Sequence, residues 1–217
     1  MRQVMIATPS YDGKVGAAYT ATITEVCKKG MMAGIDFVPV FLCGDALIQR
    51  ARNDLIALAV QSNVTDIIWL DADQEFKADW VLSLVDDTCD VLGGAVIKKS
   101  DDEQYNIKAT PEQLQQPDLF GCYQVESIGT GFLRMSRKAF MYLWDNSVSY
   151  QDNGVEKRWV FEVTLQDGGI ISEDVLVCQK LRAGGFNINL NPNITCSHTG
   201  TKTWHGDFAS WLLKIKE

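Results

Sequence analysis

Residues 66–73 read DIIWLDAD: after Asp66, four apolar residues run directly into two aspartates, Asp71 and Asp73. A short continuous apolar run bounded by polar residues suits a strand buried on both faces, and such strands belong to parallel sheets covered by helices. The chain upstream supplies that setting. Residues 3–8 (QVMIAT), stopped by Pro9, read as a first buried strand, and residues 37–42 (FVPVFL) as a second. Between them Val15, Ala18, Tyr19, Thr22, Ile23, Val26 and Cys27 recur at three and four, the period of a helix with one buried face, ending near residues 30–34. Residues 47–60 repeat that period, with Leu47, Ala51, Leu55 and Leu58 on one stripe. Strand, helix, strand, helix, strand within 70 residues predicts a doubly wound, mainly parallel α/β sheet.

Downstream the pattern loosens. A helix over 79–86 and a strand over 90–97 extend the sheet, while residues 98–126, richer in Gln, Asn and Asp, read as strands and loops that cover the site. A strand over 132–135 and a helix capped by Ser136, carrying Phe140, Leu143 and Trp144, come next. A turn at 152–154, a strand over 158–163 and a helix from Ser172 to 184–185 follow. Two short strands (186–190 and 194–197) and a last helix over 207–216, with Phe208, Trp211, Leu212 and Ile215 facing inward, complete the chain.

The 217 residues suit one domain. Lys+Arg 20 against Asp+Glu 28 gives a net charge of −8, so the molecule as a whole repels nucleic-acid phosphates and anionic membranes. An anionic ligand therefore needs local cations or a metal ion. The six cysteines are widely spaced, without a CxxC pair, and mostly lie in apolar runs; they read as reduced residues of a cytoplasmic protein. The apolar stretch at 4–7 is too short for a signal peptide, and no run approaches the ~18 residues of a membrane span.

The chemistry concentrates at Asp71 and Asp73. In extended chain, residues i and i+2 point the same way, so both carboxylates can converge on one hard cation with oxygen ligands. The plainer alternative is an acidic turn after a strand, Asp73 accepting a local backbone bond. A P-loop, a dinucleotide-binding GxGxxG and a nucleophile elbow GxSxG are all missing, and residues 12–14 (DGK) lack the first glycine and the hydroxyl that a P-loop needs. That leaves an enzyme using a metal to hold a diphosphate.

Asp71-Ala72-Asp73 after its apolar strand, preceded by Arg50-Ala51-Arg52-Asn53 and followed by Gly129-Thr130-Gly131-Phe132 and Ser172-Glu173-Asp174, resembles the GT-A fold glycosyltransferases that use nucleotide sugars. In compactness the chain is similar to the glycosyltransferase domains of phages and of large algal viruses, including a chlorovirus enzyme of capsid glycosylation. The resemblance implies a Rossmann-like, doubly wound, mostly parallel mixed sheet flanked by helices, with 1–97 as the nucleotide-binding half and 98–217 as the half that meets the acceptor and completes the metal site. It implies a UDP-sugar donor, a glycan or glycoprotein acceptor, and action in the cytoplasm, the host's if the chain is viral.

By the same resemblance Thr8, Pro9 and Tyr11 hold the nucleoside, Arg52 and Asn53 contact ribose, phosphate or hydroxyl, and Asp71 and Ala72 line the donor. Asp71, Asp73 and His198 would hold Mn²⁺, or alternatively Mg²⁺, with His205 the competing imidazole. Lys98, Lys99 and Lys202 are possible extra cations, solvated by default. Asp174, then Glu173, is the acid nearest the reacting centre, although a serine followed by two acids is also what any helix start favours. Gly129 and Gly131 would let backbone approach the donor sugar. Two other readings remain open: a sugar nucleotidyltransferase, whose Gly-rich basic loop residues 9–14 match poorly, and a non-catalytic glycan-binding module that needs no metal.

Overall fold

The computed structural model describes residues 1–86, 89–200 and 202–215. The first half alternates strand and helix: β1 (Arg2–Ser10), α1 (Ala17–Met32), β2 (Ile35–Cys43), α2 (Ile48–Gln61), β3 (Asp66–Leu70), β4 (Gln74–Glu75), α3 (Ala78–Asp86) and β5 (Val91–Val96). Short strands follow, β6 (Ile107–Lys108), β7 (Tyr123–Val125), β8 (Ser127–Ile128) and β9 (Phe132–Ser136), and then α4 (Arg137–Asp145). Two hairpins come next, β10 (Ser149–Asp152) with β11 (Val155–Arg158) and β12 (Thr164–Gln166) with β13 (Gly169–Ile171). The chain closes with α5 (Glu173–Ala183), β14 (Ile188–Thr199), β15 (Thr203–Trp204) and α6 (Phe208–Lys214). Among the described residues no helix is long and apolar enough to cross a membrane.

The main sheet runs β15-β14-β5-β9-β3-β1-β2. β1 lies parallel to β2 and β3, and β14 parallel to β5, whereas β9 is wedged antiparallel between β3 and β5. The apolar runs are explained by two cores, one on each face. Met5, Ala7, Ile67 and Trp69 point to the side covered by α2, α4 and α5; Val4, Ile6, Ile68 and Leu70 point to the side covered by α1 and α3. Each fully buried side chain of this size contributes about 1.5–3 kcal/mol, so the strands that carry the site sit in the stiffest part of the molecule.

Several local expectations are corrected. β1 continues through Pro9 to Ser10. The Gln3 carbonyl accepts from the Thr65 amide on the β3 side, and alternation puts the Pro9 nitrogen on that same side, beyond Ala7, where pairing with β3 ends. β2 is an edge strand with only Ile35 and Phe37 buried, which is why it tolerates Pro39. Leu47 and Leu58 are exposed; α2 instead buries Ala51, Leu55, Ile56 and Ala59 together with Arg52 and Asn53. The strand predicted over 158–163 is the end of a hairpin, turned by Asn153 and Gly154 at positive φ, followed by irregular backbone. The two strands predicted at 186–190 and 194–197 are one strand, β14, whose pairing with β5 slips between Asn191 and Thr195. Residues 98–126 also build core, through Tyr105, Leu114, Tyr123 and Val125. Ile215 is half exposed, and Lys216 lies outside the described residues.

Ser136 caps α4 as predicted, accepting from the Ala139 amide. All six cysteines are free thiols. At the end of β3 away from Asp71, the buried Asp66 carboxylate takes Arg2 from β1 (2.8 Å) and Arg134 from β9 (2.7 Å), fastening three strands together. Burial opposes ionisation of Asp66, but Arg2, Thr65 and Arg134 outweigh it and hold its carboxyl below the ordinary carboxylate range.

Candidate functional site

The carboxyl ends of β1 and β3 open a cleft of about 620 Å³, walled by Pro9, Tyr11 and Tyr19 and floored by Asp71, Ala72 and Asp73. This is where a doubly wound sheet holds ligands. Tyr11 is exposed, its ring available to a flat partner. Thr8 does not reach the cleft: it is fully buried, its hydroxyl shared with the Tyr19 hydroxyl at 2.5 Å. A second cleft of about 360 Å³ lies on the other side of the aspartate turn, lined by Asp71, Gln74, Lys99, Asn106, Gly131 and His198. Asp71 and Gln74 face both, so the turn is a ridge between two spaces.

β4, directly after that turn, pairs antiparallel with β14, setting His198 opposite Gln74. The Thr199 amide also donates to the Asp73 carbonyl at 2.7 Å. This pairing delivers His198 to the aspartates. His198 Nδ1 lies 2.9 Å from the Ile97 carbonyl, and Nε2 lies 3.4 Å from Asp73 Oδ1. With Nδ1 donating to a backbone carbonyl, Nε2 is the ring nitrogen turned to the Asp73 carboxylate, and once deprotonated it is the nitrogen left to bind a metal, an orientation that metal-binding imidazoles use. Burial opposes ionisation of Asp73, but His198 and Lys99 prevail and hold its pKa down to about 2. Burial likewise disfavours the charged imidazole, yet Asp73 and the Ile97 carbonyl raise the pKa of His198. Lys99 pairs with the second oxygen of Asp73. Lys202 pairs instead with Asp101, and His205 is an exposed ring bonded to Ser197.

Asp71 is held differently. Arg52, almost fully buried, donates through Nη2 to Asp71 (2.9 Å) and through Nη1 to Glu173 (2.6 Å), and lies over the Phe161 ring. Asp71 is thus paired with an arginine, whereas Asp73 is paired with His198 and Lys99. Among the described residues no three His, Cys, Asp or Glu side chains gather closely enough to enclose a metal ion. The donor chemistry nevertheless fits a divalent cation bound from one side: an anionic carboxylate and an oriented imidazole, with the other positions left to ligand oxygens.

Asn53, expected to read a donor hydroxyl, is completely buried and lines neither cleft. Its Nδ2 donates to the Phe161 carbonyl and its Oδ1 accepts from the Val160 and Phe161 amides, so it pins irregular backbone. Asp174 is also buried. Its Oδ1 accepts the Ser172 hydroxyl and the Val175 amide, and its Oδ2 accepts Asn106 Nδ2 at 2.9 Å. Ser172 therefore bonds this side chain rather than capping the helix backbone.

The glycines of Gly129-Thr130-Gly131 line the smaller cleft and make room for neighbouring side chains. A Cβ at Gly131 would overlap Gln74 Nε2 and Asp71 Oδ2, and one at Gly129 would overlap the Asn106 amide. Each glycine seats one amide side chain. Around them Arg52 Nε, Gln74 Oε1 and Thr130 Oγ1 are buried without a hydrogen-bond partner. Each such atom costs about 1–3 kcal/mol, and strain of this kind collects at functional sites. Gln74 and Asn106 are the site residues that sequence reading missed; the only signal for them was the pair of glycines.

The sheet order, with the parallel pairs of β1, β2 and β3 on one side of an antiparallel β9 and the parallel pair β5–β14 on the other, and the carboxylate ridge define a GT-A-like fold, the class that includes nucleotide-sugar glycosyltransferases. A197 from STIV superposes with a TM-score of 0.55 at 14% identity, over 92% of this chain and 86% of that one. GalNAc-T7, solved with UDP, GalNAc and Mn²⁺, gives 0.55 at 13% identity over 91% of this chain, which spans only 44% of GalNAc-T7. A glycosyltransferase involved in glycosylation of the major capsid of PBCV-1 gives 0.38 at 13% identity, over 67% and 66% of the two chains. A CTP transferase and a nucleoside-diphosphate-sugar pyrophosphorylase are among the other matches. No protein-family model and no curated protein matches the sequence.

Proposed function

We propose that this chain is a metal-dependent glycosyltransferase that moves a sugar from a uridine diphosphate donor to a hydroxyl of a glycan or glycoprotein. One observation carries the reading: Asp73 and the oriented His198 stand on a ridge between two clefts, where a diphosphate crossing from one to the other would meet both. The larger cleft, with Tyr11, suits the uridine; the smaller suits the sugar. Asp73 and His198 would hold Mn²⁺ or Mg²⁺, which when bound supplies Lewis-acid stabilisation of the charge left on the departing diphosphate.

The chain's own residues supply the rest. Lys99, already on Asp73, adds positive charge beside the diphosphate. Arg52 fixes the position of Asp71 through their ion pair, and Glu173 holds Arg52 in place. A groove of about 630 Å³, floored by Tyr105, Leu114 and Phe208 and rimmed by Trp211 and Gln104, meets the sugar cleft at Lys98. Aromatic faces beside amides suit the C–H and hydroxyl faces of a saccharide acceptor. Six free thiols accord with a reducing, cytoplasmic setting, the host's if the chain is viral.

Calorimetry with Mn²⁺ and UDP tests the reading. Wild type is expected to bind UDP only with the metal present, and Asp73→Ala to lose that dependence. Absence of UDP binding with metal would leave a non-catalytic glycan-binding module as the better account. Release of pyrophosphate from a nucleoside triphosphate, instead of UDP from a UDP-sugar, would identify a nucleotidyltransferase.

A further inference from the structure

Asp174 looks from the sequence like the acid that removes the acceptor proton, but its surroundings suit another task. Three donors occupy the carboxylate: the Ser172 hydroxyl, the Val175 amide and Asn106 Nδ2. A group poised to accept a substrate proton needs a lone pair in reach of substrate, and Asp174 lines neither cleft. Asn106, by contrast, is exposed on the wall of the sugar cleft and held from every side. Its backbone amide donates to the Val96 carbonyl (3.1 Å), its carbonyl accepts from the Gly129 amide (2.8 Å), and its side chain lies in the space that a Cβ on residue 129 would fill. An exposed asparagine is ordinarily free to rotate. Here the bond from Nδ2 to Asp174 fixes which end of the amide is which, and directs Oδ1 away from Asp174.

We infer that Asn106 is the residue that reads a hydroxyl of the transferred sugar, accepting it through Oδ1, and that Asp174 is a positioning residue acting through Asn106. This rests on the glycosyltransferase reading above. Gln74, seated over Gly131 with its Oε1 buried and unpartnered, forms another amide wall of the same cleft. Sites built to hydrogen-bond a substrate hydroxyl discriminate strongly against analogues that lack or misplace it, because the site's own polar group is then left unpaired. Gly129 has no side chain because the amide needs the room.

Affinities for UDP, UDP-glucose, UDP-galactose, UDP-N-acetylglucosamine and UDP-N-acetylgalactosamine, measured with Mn²⁺, test the assignment. Wild type is expected to favour one sugar. Asn106→Ala should leave UDP affinity within about twofold while lowering affinity for the favoured UDP-sugar about tenfold, the worth of one hydrogen bond. Asp174→Asn and Gly129→Ala should do the same, and Asp174→Asn should add nothing in the Asn106→Ala background. The pH profile of UDP-sugar hydrolysis should keep its limbs in Asp174→Asn. Should that variant fail to fold, Asn106→Asp, which sets a carboxylate against Asp174 at an exposed position, is expected to lose the sugar preference with the fold intact. Unchanged preference in Asn106→Ala, a further loss on adding Asp174→Asn, or a pH limb that disappears with Asp174 would each overturn the inference while UDP binding stands. Wild type binding none of the five nucleotides would overturn the glycosyltransferase reading itself.

Discussion

The two halves of the chain do different physical work. In residues 1–97 every main-sheet strand but the two-residue β4 belongs to parallel βαβ units, and at the end of the sheet away from the cleft Asp66 is tied into the framework, binding Arg2 and Arg134 across three strands. In residues 98–217 an antiparallel strand enters the centre of the sheet, two hairpins form outside it and β14 slips in register, and Asn106 and His198 line the cleft beside the aspartate ridge. The first half is a rigid stage; the second brings His198, Asn106 and Glu173 to it. Stability and chemistry should therefore separate by mutation.

The largest expected effect is on the stage. Asp66→Ala leaves Arg134 buried without its partner and should destabilise the protein by about 3–5 kcal/mol, read by chemical denaturation. The sign of the pH dependence follows from the lowered carboxyl of Asp66. Its stabilisation is present above the unfolded value, ~3.9, and is lost as pH falls through the lower folded value. Wild type should therefore lose stability in that acid range more steeply than Asp66→Ala does, and parallel curves would break the assignment.

Next is the ridge. Asp73→Ala should reduce metal-dependent UDP affinity at least ~100-fold, with the denaturation midpoint little changed, because its partners Lys99 and His198 keep access to water; exposed pairs contribute only about 0–1 kcal/mol. His198→Ala should weaken Mn²⁺ affinity by at least about 10-fold, since losing only the partner that orients such a ligand already costs about 10–100-fold. Of similar size but on stability, Gly94→Ala, whose Cβ would press into Ile194 where β14 slips, should cost about 1–3 kcal/mol. The smallest belongs to the β12–β13 hairpin: Leu165→Ser at an exposed position should stay within about 0.5 kcal/mol. A large loss there would erase the contrast between the halves.

That contrast also explains which parts were legible in the sequence. Strands buried on both faces advertise themselves as apolar runs, and DIIWL was delimited to the residue. Direction is not written in such a run, so the antiparallel course of β9 went unread. Residues 159–163 have the composition of a strand, but Asn53 takes their backbone groups, an interaction 107 residues away in sequence for Val160. At the site, Asp73 and His198 were legible as ligand types at strand ends. The roles of Arg52, Gln74 and Asn106 were not, because each depends on a distant neighbour: Glu173, Gly131 or Asp174.

β14 carries one further consequence. It pairs with β5 in one register up to Asn191 and in another from Thr195, and His198 follows three residues later. In a strand, adding or removing one residue sends each following side chain to the opposite face. The length of the 192–194 segment is thus a spacer that aims the imidazole. A single-residue deletion there would turn His198 away from Asp73 without touching either residue, and reinstating one residue of any small type should restore the aim.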